Sequence, residues 1–302
     1  MSDKKPVLVV GATGLHGGTG PFIVKELLRH GMPVKALVRG EDERSLALTK
    51  QGAEVVVGDL RDRRTLIPAL DGVELAYFTH PVAEGIVNAA ANFASAGRDR
   101  GLKRLVSVST GTAAPESIGP LSRASWLAEE LFETSGFDCI ILRVAAWFFE
   151  NLELLHRQEI FGDGVLRSSC RDIPLNWMAG VDAAKLAVFA LLQPERFAPK
   201  ATYFYPTGDD KMTYSEAAAI VGRHLGRKLT YETVSADAWY AHLMELSRSD
   251  RRITDGLARQ VSIVGASLKE GLPTNELFQS VTGEQPMTLE EALRSSYLTL
   301  AL

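Results

Sequence analysis

Cysteine is nearly absent from this 302-residue chain. Cys139 and Cys170 are the whole complement, and they lack the C-x-x-C spacing and the Cys/His cluster that a zinc site would need. Neither a metal centre nor a disulfide framework is expected. Cys139, inside the apolar run Cys139-Ile-Ile-Leu142, reads as a small buried hydrophobe. Positive charge is short as well: 33 Lys and Arg stand against 37 Asp and Glu, for a net charge of −4. Nucleic acid is therefore not an expected partner, because phosphate backbones are met by clustered cations. No run of about 18 apolar residues is available to cross a bilayer, and no apolar h-region precedes the first strand-like segment. The expectation is a soluble cytoplasmic protein without membrane association. Linkers, tandem repeats and low-complexity tracts are also missing.

What is present is an alternation. Val7–Val10 is a β-branched run that reads as a strand buried on both faces. A helix follows over 21–30, with Pro21 tolerated in its first turn and Gly31 as its stop. Strands are predicted at 34–38, 54–57, 75–78, 105–108 and 138–142, with helices near 45–51, 65–70, 85–100 and 122–135 between them. This rhythm implies an α/β fold: a parallel, Rossmann-type sheet with helices on both faces. After residue 145 the rhythm loosens. A helix at 181–192, a strand at 201–205, a helix at 213–225 and a strand at 229–234 are expected, and the rest is read as mostly helical. The predicted organisation is a dinucleotide-binding domain over 1–150, with returning segments near 175–206. A smaller, mostly helical substrate-side lobe over 151–302 is expected to pack with it as one unit.

The chemistry-bearing segment is the first turn. The strand 7–10 runs into Gly11-Ala-Thr13-Gly14-Leu15-His16-Gly17-Gly18-Thr-Gly20 and then into a helix, the setting of a dinucleotide fingerprint. Gly11, Thr13, Gly14, Leu15, His16, Gly17, Gly18 and Gly20 are the candidate pyrophosphate-side residues, since helix N-terminal amides meet anionic groups. The second strand ends in Val38-Arg39. A cation there suits the 2′-phosphate of NADP, where an acidic residue would suit the ribose of NAD. NADP(H) is accordingly expected in preference to NAD(H), the alternative being a solvated surface arginine. Asp59-Leu60 follows the third strand, and Asp59 reads either as an acceptor for the adenine amino group or as an N-cap. Thr79 and His80 end the fourth strand and Ser109-Thr110 the fifth, all facing the expected nicotinamide crevice. His80 is the candidate proton donor, with a packed or cofactor-lining role as the alternative. Ser109 reads as lining the cofactor or orienting a substrate.

These residues resemble the NmrA-like branch of the atypical short-chain dehydrogenase/reductase superfamily. The resemblance rests on Gly-Ala-Thr-Gly at 11–14, Val-Lys-Ala-Leu-Val-Arg at 34–39, Gly-Asp-Leu at 58–60 and Ser-Thr-Gly at 109–111. Ser-Trp-Leu-Ala-Glu-Glu at 125–130, Phe-Phe-Glu-Asn at 148–151, Val-Asp-Ala-Ala at 181–184 and the closing segment 282–292 extend it over nearly the whole chain. Three departures stand out. The glycine turn is longer than the family's, and the helix register fits better with Gly20 as its last glycine. Leu121-Ser-Arg-Ala-Ser125 stands where the superfamily carries Tyr-x-x-x-Lys. The segment 143–151 is slightly longer, with Val144 where proline is common.

The resemblance implies an NADPH-dependent reductase of a small apolar, aromatic or quinone-like molecule. Trp147 and Trp177 are the expected pocket residues. The alternative is a non-catalytic NADP(H)-sensing regulator acting through a protein partner.

Overall fold

The computed structural model describes residues 4–14, 17–295, 297–298 and 300. In chain order the first half runs β1 (Val7–Val10), α1 (Thr19–Arg29), β2 (Val34–Val38), α2 (Glu43–Gln51), β3 (Glu54–Val57), α3 (Arg63–Ala69), β4 (Leu75–Phe78), α4 (Ile86–Asp99), β5 (Arg104–Thr110), α5 (Pro120–Glu133) and β6 (Asp138–Val144). The second half continues β7 (Trp147–Phe148), α6 (Glu150–Phe161), β8 (Val165–Ser168), β9 (Leu175–Met178), α7 (Gly180–Leu192), β10 (Tyr203–Phe204), β11 (Asp210–Met212), α8 (Tyr214–Leu225), β12 (Thr230–Thr233), α9 (Ala236–Leu246), α10 (Asp255–Ser267), α11 (Leu277–Thr282) and α12 (Leu289–Arg294).

Seven strands form one sheet in the order β3-β2-β1-β4-β5-β6-β10, every pair parallel. Parallel sheets must be covered on both faces, and β1 shows why its sequence is an unbroken apolar run. Val7 and Val9 face a core built with Ile23, Val24 and Leu27 of α1 and with α7. Leu8 and Val10 face the opposite core, built with Leu66 of α3, Phe93 of α4 and Phe132 of α5. Chain order reverses between β1 and β4, so a crevice opens beyond their carboxyl ends, the place where this architecture holds ligands.

Local signals set the helix ends. Asp42 caps α2 by accepting the Arg44 and Ser45 N–H groups, with Ser45 answering reciprocally, and Gly52 at φ 103° terminates it. Thr213 and Glu216 form the same kind of box at the start of α8.

Two small sheets, β11-β9-β7 and β12-β8, follow in the second half of the chain. The sequence offered no element between 145 and 180, whereas the structure has β7, α6, β8 and β9 there. The reason is burial: α6 hides Asn151, Leu152, Leu154, Leu155, His156, Glu159 and Ile160, which wrap around the helix and leave no one-sided stripe to read. The predicted strand over 201–205 shortens to Tyr203–Phe204, which returns to the large sheet beside β6. Arg143 of β6 ties that edge down, forking onto buried Glu129 of α5 at 2.5 and 3.1 Å and lying 3.9 Å from the Tyr203 ring centroid.

Candidate functional site

The glycine turn sits where β1 delivers it, over the β1/β4 crevice. Gly11 has φ 79°, and a Cβ on it would lie 2.4 Å from Thr79 Cγ2, so the ends of β1 and β4 are pressed together. Gly14 N–H donates to the Gly11 carbonyl at 2.9 Å, closing the turn. Helix α1 begins at Thr19, and a Cβ on Gly20 would fall 2.0 Å from the Gly11 oxygen. Gly20 is thus the residue that lets α1 lie against the end of β1. The extra turn residues reach the other way. The Gly17 carbonyl lies so close to Gly180, at the start of α7, that a Cβ there would be 2.0 Å away, and Gly17 itself abuts the Phe148 ring. Leu15 and His16 lie outside the described residues.

Beyond β2, Arg39 is exposed and forms no hydrogen bond or ion pair with any described residue, although its charge is felt by both Asp59 and His80. Its neighbours are committed. Arg44 pairs with Asp42 at 2.6 Å and donates to the Thr13 carbonyl at 3.3 Å, linking α2 to the glycine turn. Arg61 forks onto Asp59 at 2.6 and 3.1 Å. That side-chain contact, then the Arg61 backbone N–H, hold the Asp59 carboxyl down at about 2. The N-cap reading of Asp59 is corrected here: Asp62 caps α3 by accepting the Arg64 N–H. Asp59 instead closes a short turn onto the Arg61 N–H at 2.9 Å. The Leu60 carbonyl, beside it, accepts from Asn92.

At the end of β4, His80 is half-buried, and its Nδ1 lies 2.8 Å from the Pro81 carbonyl. A carbonyl only accepts, so Nδ1 carries the proton and a neutral His80 presents Nε2 as an acceptor. Burial first, and then the Arg39 charge, lower its pKa against the raising effect of that hydrogen bond, which favours the neutral ring. This polarity is opposite to the donor expected from the sequence.

At the end of β5, Ser109 Oγ is buried without a hydrogen-bond partner among the described residues. A chain of hydroxyls begins at the next residue in sequence: Thr110 Oγ1 is 3.0 Å from Thr112 Oγ1, and Thr112 Oγ1 is 2.6 Å from Ser122 Oγ. Ser122 belongs to the first turn of α5, and its oxygen receives the Gln260 amide of α10 at 2.6 Å. The Gln260 contact was not foreseeable from spacing, because Gln260 lies 138 residues from Ser122.

The two tryptophans expected at a substrate pocket part company. Trp147 is half-buried at the seam between two apolar clusters, one around Leu152 and Tyr214 and one around Trp239 and Leu257. Trp177 is a correction: it is 1% exposed, its indole N–H donates to the Met212 carbonyl at 3.1 Å, and it packs on Phe149 and Tyr214. It is core, not pocket. Glu150 was missed by sequence reasoning; its buried carboxylate accepts the Gly180 N–H at 3.0 Å and the Tyr297 hydroxyl, fixing the start of α7. In the same first turn of α7, Asp182 is fully buried, and burial pushes its carboxyl up to about 6 despite the Met287 N–H at 2.7 Å and nearby Lys185.

A group raised from 3.8 to about 6 on folding favours its protonated native form. Its contribution is fully present below the unfolded value and is lost as pH rises through the folded one. The wild type should therefore lose stability relative to Asp182→Asn between pH 4 and pH 6, by on the order of 2–3 kcal/mol. Paired thermal or urea unfolding at several pH values checks this, and parallel curves would refute it.

A cleft of about 630 Å³ opens elsewhere, at the amino ends of β5 and β6, lined by Arg104, Glu133, Asp138 and Lys200. It lies at the opposite end of the sheet from the glycine turn. Among the described residues no cluster of His, Cys, Asp and Glu could hold a metal ion, and no helix is long and apolar enough to cross a membrane.

The glycine cradle, the uncommitted Arg39 and the orphaned Ser109 oxygen fit a phosphorylated dinucleotide, and known proteins point the same way. A family model described as the NmrA-like family matches residues 3–265. An NAD(P)H azoreductase of Xenophilus azovorans is 31% identical over 76% of this chain and 78% of its own length. Among solved structures, an NADPH-dependent quinone oxidoreductase from Escherichia coli complexed with NADPH aligns with a TM-score of 0.76 at 21% identity, covering 96% of this chain and 99% of that one. A Citrobacter sp. triphenylmethane reductase complexed with NADP(H) aligns with a TM-score of 0.74 at 23% identity, over 96% and 99% of the two chains. At such identities the solved structures speak for the fold alone. The sequence match over nearly nine-tenths of its length makes this chain a member of the NmrA-like family.

Proposed function

We propose that this protein is an NADP(H)-dependent reductase of a small, apolar, conjugated acceptor of the quinone or azo type. The observation that carries the reading is the crevice itself: a glycine turn with Gly20 set against Gly11, flanked by an exposed arginine that has no described partner. The amides of Gly11 to Gly20 would hold the pyrophosphate, and Arg39 would hold the 2′-phosphate through charge-assisted hydrogen bonds. Thr79, His80 and Ser109 line the nicotinamide end, with Asp59 and Leu60 toward the adenine and Trp147 toward the acceptor. When bound, the dinucleotide supplies hydride. The chain supplies placement: it holds an acceptor against the ring and excludes water on the Trp147 side. His80 accepts a hydrogen bond through Nε2 in this reading, and the proton that completes reduction comes from water.

The names of the azoreductase, quinone oxidoreductase and triphenylmethane reductase relatives support this class, since all three denote acceptors with extended conjugation. The test is NADPH oxidation followed at 340 nm with a panel of quinones, azo dyes, enones and simple ketones. Turnover is expected with the first two and not with simple ketones, which need the strong proton donor that Tyr-x-x-x-Lys supplies. Tight NADPH binding with no turnover on any acceptor would replace this reading with that of an NADP(H)-sensing regulator.

A further inference from the structure

The hydroxyl chain that begins at Thr110 has a direction, and a residue on a distant helix sets it. Gln260 of α10 is buried against the start of α5. The Leu121 backbone N–H can only donate, so the Gln260 atom 3.1 Å from it is the carbonyl oxygen Oε1. The other terminal atom is then Nε2, a donor, and it meets the fully buried Ser122 Oγ at 2.6 Å. Ser122 has one proton to give and one other described partner, so it donates to Thr112 Oγ1. Thr112 accordingly donates to Thr110 Oγ1, which also accepts the Thr112 backbone N–H at 3.4 Å. Both lone pairs of Thr110 are supplied from within the chain. Its own proton has no acceptor among the described residues, and Thr110 is half-buried at the carboxyl end of β5, one residue after Ser109, whose Oγ also has no partner among the described residues.

We infer that Thr110 donates a hydrogen bond to the acceptor atom that gains negative charge on reduction, and that Gln260 is the positioning residue that fixes this polarity. The inference rests on the reductase reading. Hydride from NADPH adds to the conjugated system, the displaced electron pair settles on an oxygen or nitrogen, and that atom takes a proton from water. Thr110 keeps its proton throughout and stabilises the developing charge from a preorganised position. The hydroxyl chain thus supplies a fixed hydrogen-bond donor without delivering a proton.

Gln260→Glu tests the direction, because a carboxylate makes both terminal atoms acceptors. Ser122 would then donate to Glu, Thr112 to Ser122 and Thr110 to Thr112, drawing the Thr110 proton out of the crevice. Two readouts apply to the wild type, Gln260→Glu, Thr110→Val and Thr110→Ser. The first is binding of 4-nitrophenol to the NADP⁺-saturated protein, where absorbance reports the ionised fraction. The second is kcat/KM for a naphthoquinone. The wild type and Thr110→Ser should bind the phenolate, ionising the phenol at lower pH than Thr110→Val or Gln260→Glu does. In the latter two kcat/KM should fall about ten- to a hundredfold, with NADPH affinity retained. Wild-type phenolate binding and turnover in a cooperatively folded Gln260→Glu would overturn the inference, as would failure of the wild-type complex to bind 4-nitrophenolate. If Gln260→Glu does not fold, the Thr110 pair decides: a Val variant equal to Ser counts against it. Should the wild type fail to oxidise NADPH with any of the acceptors, the reductase reading falls, while the phenolate arm still reports Thr110 polarity.

Discussion

Gly20→Ala should cost this protein both stability and nucleotide. The added methyl would lie 2.0 Å from the Gly11 oxygen, 2.7 Å from its carbonyl carbon and 3.1 Å from Ala12 Cα. All three are backbone atoms at the end of β1, so no side chain can swing aside. Helix α1 would have to lift off the strand, disturbing the contact of Ile23, Val24 and Leu27 with Val7 and Val9. Overpacking of this kind costs roughly 1–3 kcal/mol where a core can adjust, and a fixed backbone puts this site at or above the upper end. Lifting α1 also displaces the turn amides, so NADPH affinity should drop by at least about tenfold, the equivalent of a single lost hydrogen bond. Gly40→Ala is the control: nothing lies within 4 Å of a Cβ there, and a surface change should stay within about 0.5 kcal/mol. Urea unfolding and fluorescence titration measure both effects. A Gly20→Ala protein as stable and as tightly binding as Gly40→Ala would remove Gly20 from the turn's design.

Arg39→Ala should separate the two nicotinamide dinucleotides. Hydrogen bonds to a charged group contribute about 1.5–3 kcal/mol each, so losing the guanidinium should weaken NADPH by about ten- to a hundredfold. NADH, lacking the phosphate, should bind the variant as it binds the wild type. The neighbours give little compensation, because Arg44 is held by Asp42 and Arg61 by Asp59. Arg39→Lys should recover part of the NADPH affinity, as a point charge without the planar fork. Equal losses for the two dinucleotides would mean that Arg39 acts on something other than the 2′-phosphate.

The first six strands of the sheet were readable because each is a short apolar run set between amphipathic or Ala-rich helices, and parallel sheets demand that pattern. The NmrA-like resemblance was readable from motifs that cluster at strand ends. Residues whose roles depend on distant contacts were not. Trp177 looked like a pocket residue because aromatic content says nothing about depth; its burial, its packing on Phe149 and Tyr214 and its hydrogen bond to Met212 place it in the core. Asp59 and Asp62 are equally good caps by type, and the choice between them turns on where α3 starts. Helix α6 escaped because it is buried around much of its circumference. Gln260 carries no local signal at all; it matters only because α10 comes to rest on the start of α5. Periodicity and turn chemistry report local structure, whereas a long-range polar contact leaves no mark on its own neighbourhood.

The central claim is that the crevice between β1 and β4 holds NADP(H) with Arg39 on its 2′-phosphate. A crystal structure of the protein with NADP⁺ tests it most directly. The account predicts the pyrophosphate on the Gly11–Gly20 turn, the Arg39 guanidinium in hydrogen-bond contact with the 2′-phosphate, and the nicotinamide beside Ser109 and Thr110. A dinucleotide bound elsewhere, or bound there with its 2′-phosphate in solvent and Arg39 turned away, would contradict it.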